Sequence, residues 1–89
     1  MSDGGVGPWR TEFNVQPFVF NKRKLTPGDI RPAGGRDQAI RLGERLAASH
    51  PGVLVYSRRV APDLGEYEDA TVLATHGLLP PEVAEHLTQ

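Results

Sequence analysis

The sequence predicts a small α+β domain with the element order β-α-β-β and a short helix at its end. In this fold a three-stranded sheet carries one main helix on one face. Three observations predict it: an early alternation of apolar and polar residues, one amphipathic helical stretch, and two apolar strand-like stretches joined by a turn cluster. Because 89 residues leave room for a single hydrophobic core, we expect residues 9–89 to form one domain after a disordered tail, residues 1–8.

The first strand is predicted over residues 9–20. Trp9, Thr11, Phe13 and Val15 alternate with polar residues, which is typical of a half-buried strand. Pro17 interrupts the pattern, and proline has no N–H to donate to a neighbouring strand. We therefore expect this strand to lie at an edge of the sheet or to carry a bulge at Pro17.

The segment between the first strand and the main helix is predicted to be turn and loop. Residues 21–24 are polar and suit a turn, and Pro27 with Gly28 fits the centre of a type II turn. Residues 30–35 contain Pro32 and a glycine pair, which indicates a loop.

The main helix is predicted over residues 36–49. Ala39, Ile40, Gly43, Leu46 and Ala47 fall on one helical face, and charged residues occupy the opposite side. A glycine inside a helix costs about 1 kcal/mol relative to alanine. The place of Gly43 on the apolar face predicts a close approach of the helix to the sheet. The sequence His-Pro-Gly at residues 50–52 ends the helix.

Two further strands are predicted as an antiparallel hairpin, over residues 53–60 and 67–75, with a turn cluster at residues 61–65 between them. The first is a continuous apolar run typical of a central strand with side chains pointing to both faces. A turn centred on residues 63–64 predicts four facing pairs: Val60 with Tyr67, Val55 with Val72, Arg59 with Glu68, and Arg58 with Asp69.

The last element is predicted to be a short helix that begins at the Pro80–Pro81 pair and carries Val83 and Leu87 on its apolar side. A right-handed crossover through the main helix would make the first strand parallel to the second. One face of the sheet is then left for the terminal helix or for a second copy of the chain to cover.

Composition and charge exclude several classes of protein. The chain has no cysteine, which excludes disulfides, cysteine-ligated zinc and thiol catalysis. No apolar run is long enough to cross a bilayer, and the first residues do not form a secretory signal, so we expect a cytoplasmic protein without membrane contact. The formal net charge of −1 divides into +5 over residues 1–60 and −6 over residues 61–89. We expect the acidic part to fold back on the basic part through the hairpin.

No enzyme signature is present. Ser49 and Ser57 do not lie in a nucleophile motif, and the three histidines lack the spacing of any metal motif. His76, at the end of a strand, is the only histidine worth examining as a ligand or acid–base group, and a structural turn residue is the alternative. We expect no enzyme activity, no cofactor and no metal.

The basic residues offer a nucleic-acid hypothesis. Lys22, Arg23 and Lys24 form a basic turn next to two phenylalanines, so cations for phosphates and rings for bases occur together. Arg58 and Arg59 would extend this surface. In the alternative interpretation the phenyl rings belong to the core and the three charges protect a solvated turn.

Several stretches resemble a group of short, uncharacterised bacterial proteins. They are Val15-Gln16-Pro17-Phe18, residues 41–47 of the helix, Gly52-Val53-Leu54-Val55-Tyr56-Ser57, Leu64-Gly65-Glu66-Tyr67, and the run from Val72-Leu73 to His76-Gly77. The resemblance covers most of the chain but implies no activity and no functional residue.

Taken together, these features favour a small non-enzymatic module that binds protein, either another protein or a second copy in a homodimer. The predicted surface is the sheet face away from the main helix, together with the exposed edge of the strand that contains Pro17. Weak nucleic-acid binding by Lys22, Arg23, Lys24, Arg58 and Arg59 is the alternative.

Overall fold

The computed structural model describes residues 7–87 and shows one curled antiparallel sheet with a main helix on one face. Most of the predicted tail, residues 1–6, lies outside the described residues. The elements in chain order are β1 (Arg10–Asn21), β2 (Lys24–Pro27), β3 (Arg31–Ala33), α1 (Arg36–Ala47), β4 (Gly52–Ala61), a 3₁₀ turn (Pro62–Leu64), β5 (Glu66–Tyr67), β6 (Thr71–Gly77) and α2 (Pro81–Leu87).

The two long strands β1 and β4 form the centre of the sheet, paired antiparallel from Arg10 opposite Val60 to Phe18 opposite Gly52. The short strands β2 and β3 both pair with the outer side of β1, and β5 and β6 both pair with the outer side of β4. The predicted number of strands, three, was therefore too low, because the described part of the sheet has six.

The direction of β4 relative to β1 was also predicted wrongly, since the two strands are antiparallel. The cause lies in β2 and β3, in the segment that was predicted to be turn and loop. These strands return the chain along β1, so the connection through α1 starts from β3. Both β3 and β4 are antiparallel to β1, and the helical crossover therefore joins two parallel strands that have β1 between them.

Pro17 lies in the middle of a central strand, although an edge or a bulge was predicted there. Its carbonyl accepts a hydrogen bond from the Gly28 amide at 2.8 Å, on the side of β2 and β3. Because the N and C=O groups of one strand residue point to the same side, the proline nitrogen faces the gap between β2 and β3. No hydrogen bond to β4 is lost, so the strand continues unbroken through the proline.

The hydrophobic core lies between the sheet and α1. Val15, Val53, Val55 and Ala39 are fully buried there. A β-carbon added to Gly43 would overlap Cγ2 of Val55. This confirms the predicted main helix, which ends two residues earlier than expected, and the predicted close approach at Gly43.

The predicted hairpin is confirmed near its turn and shifted further along. Val60 lies opposite Tyr67, as expected. Val55 lies opposite Ala74 instead of Val72, because residues 68–70 leave the ladder and a bulge between Val55 and Tyr56 shifts the register. The predicted pair of Arg59 with Glu68 and the predicted pair of Arg58 with Asp69 therefore have different outcomes.

Candidate interaction groove

A groove of about 880 Å³ opens on the sheet face opposite α1. It exists because side chains along β4 alternate, so that Val53 and Val55 enter the core while the even-numbered residues face away from it. Its floor and walls come from Leu54, Tyr56 and Arg58 of β4, Tyr67 of β5, residues 68–70, Val72 and Thr75 of β6, and Val83 of α2. The groove therefore lies on the sheet face away from the main helix, for which the terminal helix or a second copy of the chain was predicted as the cover.

The terminal helix covers this face only in part. Val83 of α2 reaches the groove and is half-buried. Val72 remains 39% exposed and Tyr67 remains 68% exposed. A smaller hollow of about 330 Å³ shares Arg58 and Val83 with the groove and extends toward Phe18 on β1. Apolar side chains thus stay accessible in the groove, whereas Phe18 beside the smaller hollow is buried.

Arg58 is the central polar group of the groove. Its guanidinium carbon lies 5.9 Å from the ring centre of Tyr56 and 5.1 Å from that of Tyr67. Each such stacking contact is worth about 0.5–1 kcal/mol at an exposed site. The Nε atom is buried and has no hydrogen-bond partner, and a buried donor without an acceptor costs about 1–3 kcal/mol. The two rings therefore hold the guanidinium in place while part of its hydrogen-bonding capacity stays unused.

The carboxylates nearest in sequence register do not neutralise Arg58. Glu12 lies opposite it on β1, but its Oε2 atom accepts from Nη2 of Arg10 at 3.3 Å. Glu68 lines the groove and lies 3.8 Å from Nη1 of Arg59, which confirms one predicted pair. Arg58 and Asp69 both line the groove but form no ion pair with each other or with another described residue. The second predicted pair, Arg58 with Asp69, is wrong because Asp69 lies in the segment that has left the ladder.

The five basic residues predicted for nucleic acid do not form one surface. Lys22, Arg23 and Lys24 are exposed at the hairpin tip between β1 and β2. Arg58 lies in the groove opposite Glu12, ten residues from Lys22 along β1, which corresponds to about 33 Å. Arg59 is held 5.3 Å from the Trp9 ring centre and beside Glu68. The structure therefore leaves a compact basic tip and separates it from the two arginines.

His76 lies on the other face of the sheet, against α1. Its Nε2 atom is buried without a hydrogen-bond partner and lies 3.8 Å from the position that a Gly43 β-carbon would take. Within residues 7–87 no three side chains of His, Cys, Asp or Glu are placed to hold a metal ion. The position of His76 is that of a packed side chain under the helix.

Sequence reasoning missed the two tyrosines that flank Arg58. Tyr56 and Arg58 are two residues apart on one strand, so they share a face. Tyr67 lies opposite Val60, which is the next residue on that same face and places Tyr67 diagonally from Arg58. The alternation along β4 combined with the hairpin register was thus the signal that could have identified the cluster.

No family model, no curated protein and no solved structure matches the chain. The resemblance to short bacterial proteins, the bacterial origin and the cytoplasmic location stay predictions. In the described part of the chain neither helix has the length and apolar character needed to cross a membrane.

Proposed function

We propose that the protein is a small non-enzymatic interaction module that binds another polypeptide in the groove opposite α1. The observation that carries the proposal is Arg58, a cation fixed between two tyrosine rings on an apolar floor, with a buried donor that lacks an acceptor. Tyrosine and arginine are among the residue types that contribute most at protein interfaces. Native proteins rarely leave buried polar groups unsatisfied, so such a group is a reason to look for a partner.

The surroundings of Arg58 support the same function. Tyr67 and Val72 are large apolar side chains exposed beside the guanidinium, and an apolar centre with polar groups around it is the usual anatomy of a protein interface. The strand Arg10–Asn21, whose edge was predicted to contribute, is covered on both sides by other strands. The proposal therefore rests on the sheet face alone.

Site-specific photo-crosslinking tests the proposed function. Thr75 is exposed on the groove wall, and replacing it with a photoreactive phenylalanine derivative places the probe where a partner would bind. Arg41, exposed on α1 at the other face, is the matched control position. We expect irradiation to give a covalent protein adduct from position 75 and not from position 41. Absence of any adduct above the level of the control would contradict the proposal.

A second candidate function, weak nucleic-acid binding, concerns the hairpin tip. Lys22 and Arg23 are the two central residues of the turn and have φ values of 55° and 68°. Turns of this kind normally use asparagine and glycine there, since other residues are strained at positive φ. Phe20 is 57% exposed next to the tip. Cations kept at strained positions beside an exposed ring favour contact with an anionic polymer, although three charges give low affinity at physiological salt.

One double substitution at the tip tests both the backbone strain, through stability, and the binding, through titration. We expect Lys22→Asn combined with Arg23→Gly to raise the free energy of unfolding by about 1–2 kcal/mol, because both new residues tolerate positive φ. Urea unfolding measures this gain. In amide NMR titrations with short DNA and RNA at low salt, shifts near the tip of the parent protein should disappear in the variant. A parent spectrum that does not change would remove this candidate and leave the groove.

A further inference from the structure

We infer that the polypeptide bound in the groove is a second copy of this chain, held across a two-fold axis by two reciprocal ion pairs between Arg58 and Asp69. This inference rests on the proposed function and names its partner. It draws on the position of the two charges, on their lack of an ion-pair partner among the described residues, and on the exposed apolar side chains that line the same groove.

The groove carries charges of both signs, so the grooves of two copies can be electrostatically complementary. Among the side chains that the structure describes, Arg58 forms no ion pair with a carboxylate and Asp69 forms none with a cation. Both line the same groove. In a two-fold interface the same patch meets itself, so that Arg58 of each copy contacts Asp69 of the other. A partner of one sign would satisfy one of these groups and repel the other, whereas a second copy satisfies both.

The depths of the two groups also fit. Arg58 lies on the groove floor with its guanidinium held between the rings of Tyr56 and Tyr67, so a carboxylate has to enter the groove to reach it. Asp69 is exposed in the short segment between β5 and β6, at the rim. A recessed cation and an accessible carboxylate on one surface allow each copy to insert its rim into the groove of the other.

Exposed apolar area lies next to both groups. Tyr67 is 68% exposed and Val72 is 39% exposed, and both line the groove with Arg58. Covering these side chains removes apolar area from water, which supplies the driving force for association. The ion pairs then set the register, because a shifted arrangement would leave a charge buried without its counterpart.

Charge reversal in separate chains tests this arrangement. Arg58→Asp leaves carboxylates at both positions 58 and 69 of the groove, and Asp69→Arg leaves cations at both positions. In light scattering after size-exclusion chromatography, we expect the parent chain to be a dimer. Each variant alone should be monomeric at the same concentration, with dimerisation weakened at least about tenfold. An equimolar mixture of the two variants should form a heterodimer, since each chain then offers the charge that the other lacks.

The mixture excludes the simplest alternative, which is that Arg58 and Asp69 pair within one chain after a side-chain rotation. Neither variant contains both charges, so an intrachain pair cannot restore association. Arg41→Asp and Glu44→Arg on α1 are controls with the same charge changes on the opposite face, and each should remain a dimer. Circular dichroism of every variant establishes that it is folded before association is interpreted.

Several outcomes would overturn the inference. They are a parent chain that stays monomeric up to about 1 mM, a concentration at which even weak association is detected, charge-reversed variants that dimerise like the parent, and a mixture that stays monomeric while the parent dimerises. The crosslinking at position 75 separates this failure from failure of the proposed function. An adduct with a different protein beside a monomeric parent would overturn only the identity of the partner, and no adduct at all would overturn both.

Discussion

Gly52→Ala is expected to lower the free energy of unfolding by about 3 kcal/mol, at the upper end of what overpacking in a protein interior costs. A β-carbon at Gly52 would overlap the carbonyl oxygen of Leu78. That oxygen belongs to the backbone, which cannot turn aside as a flexible side chain does. Leu78 is also fixed by its amide, which donates to the Pro51 carbonyl at 2.9 Å.

A second close contact joins the same two backbone segments, on the side of β6. Gly52 lies opposite Gly77 in the ladder between β4 and β6. Gly77 has φ of +66°, and a β-carbon there would overlap the carbonyl oxygen of Pro51. Two glycines therefore let the start of β4 and the end of β6 cross closely, immediately before the chain continues to α2. Relief of the overlap at position 52 therefore requires one of the two backbone segments to move.

Gly35→Ala is the matched control for this prediction. Gly35 is half-buried at the N-terminal end of α1, its backbone is extended, and a β-carbon there would meet nothing within 4 Å. Gly35 is the N-cap of α1 and alanine is a poorer N-cap residue than glycine, so we expect this variant to lose no more than about 1 kcal/mol. Urea unfolding followed by circular dichroism compares the two. A Gly52→Ala protein as stable as the Gly35→Ala protein would show that the two backbones are not in the contact described.

The elements with strong local signals were predictable from the sequence. The main helix has an apolar stripe over three turns, and Gly43 stands on that stripe, so both the helix and its close packing followed from residue spacing. The hairpin turn was predictable because turn-forming residues separate two apolar runs, and Val60 does lie opposite Tyr67. In each case the information lies within a few residues.

The short strands were not predictable because their stability comes from a distant partner. Arg31–Ala33 contains a proline and follows a turn, and it becomes a strand only through pairing with residues 13–15. Proline is tolerated there because β3 is an edge strand. Missing these strands reversed the predicted direction of β4. The same limit applies to the groove, since residues 68–70 leave the ladder between β5 and β6 and so take Asp69 out of register with Arg58.

The second large effect is expected at the contact between α1 and the sheet. Gly43→Ala improves helix propensity by about 1 kcal/mol, but the added methyl group would overlap Cγ2 of Val55, which is fully buried and cannot move aside. Overpacking of this kind costs about 1–3 kcal/mol. We therefore expect a net loss of up to about 2 kcal/mol in the free energy of unfolding, opposite in sign to the effect of the same substitution on an exposed helix face.

A double-mutant cycle with Val55→Ala identifies the cause of that loss. Val55→Ala alone removes two buried methyl groups and leaves a cavity, which we expect to cost about 2–3 kcal/mol. In the double variant the methyl group at position 43 enters the space that Cγ2 of Val55 has left. We therefore expect the loss in the free energy of unfolding of the double variant to be at least about 1 kcal/mol smaller than the sum of the two single losses. Strict additivity in urea unfolding would mean that the helix does not contact the sheet at Gly43. Val55 lies between two groove residues on β4, Leu54 and Tyr56. The same cycle therefore measures how tightly α1 packs against the strand that carries Arg58.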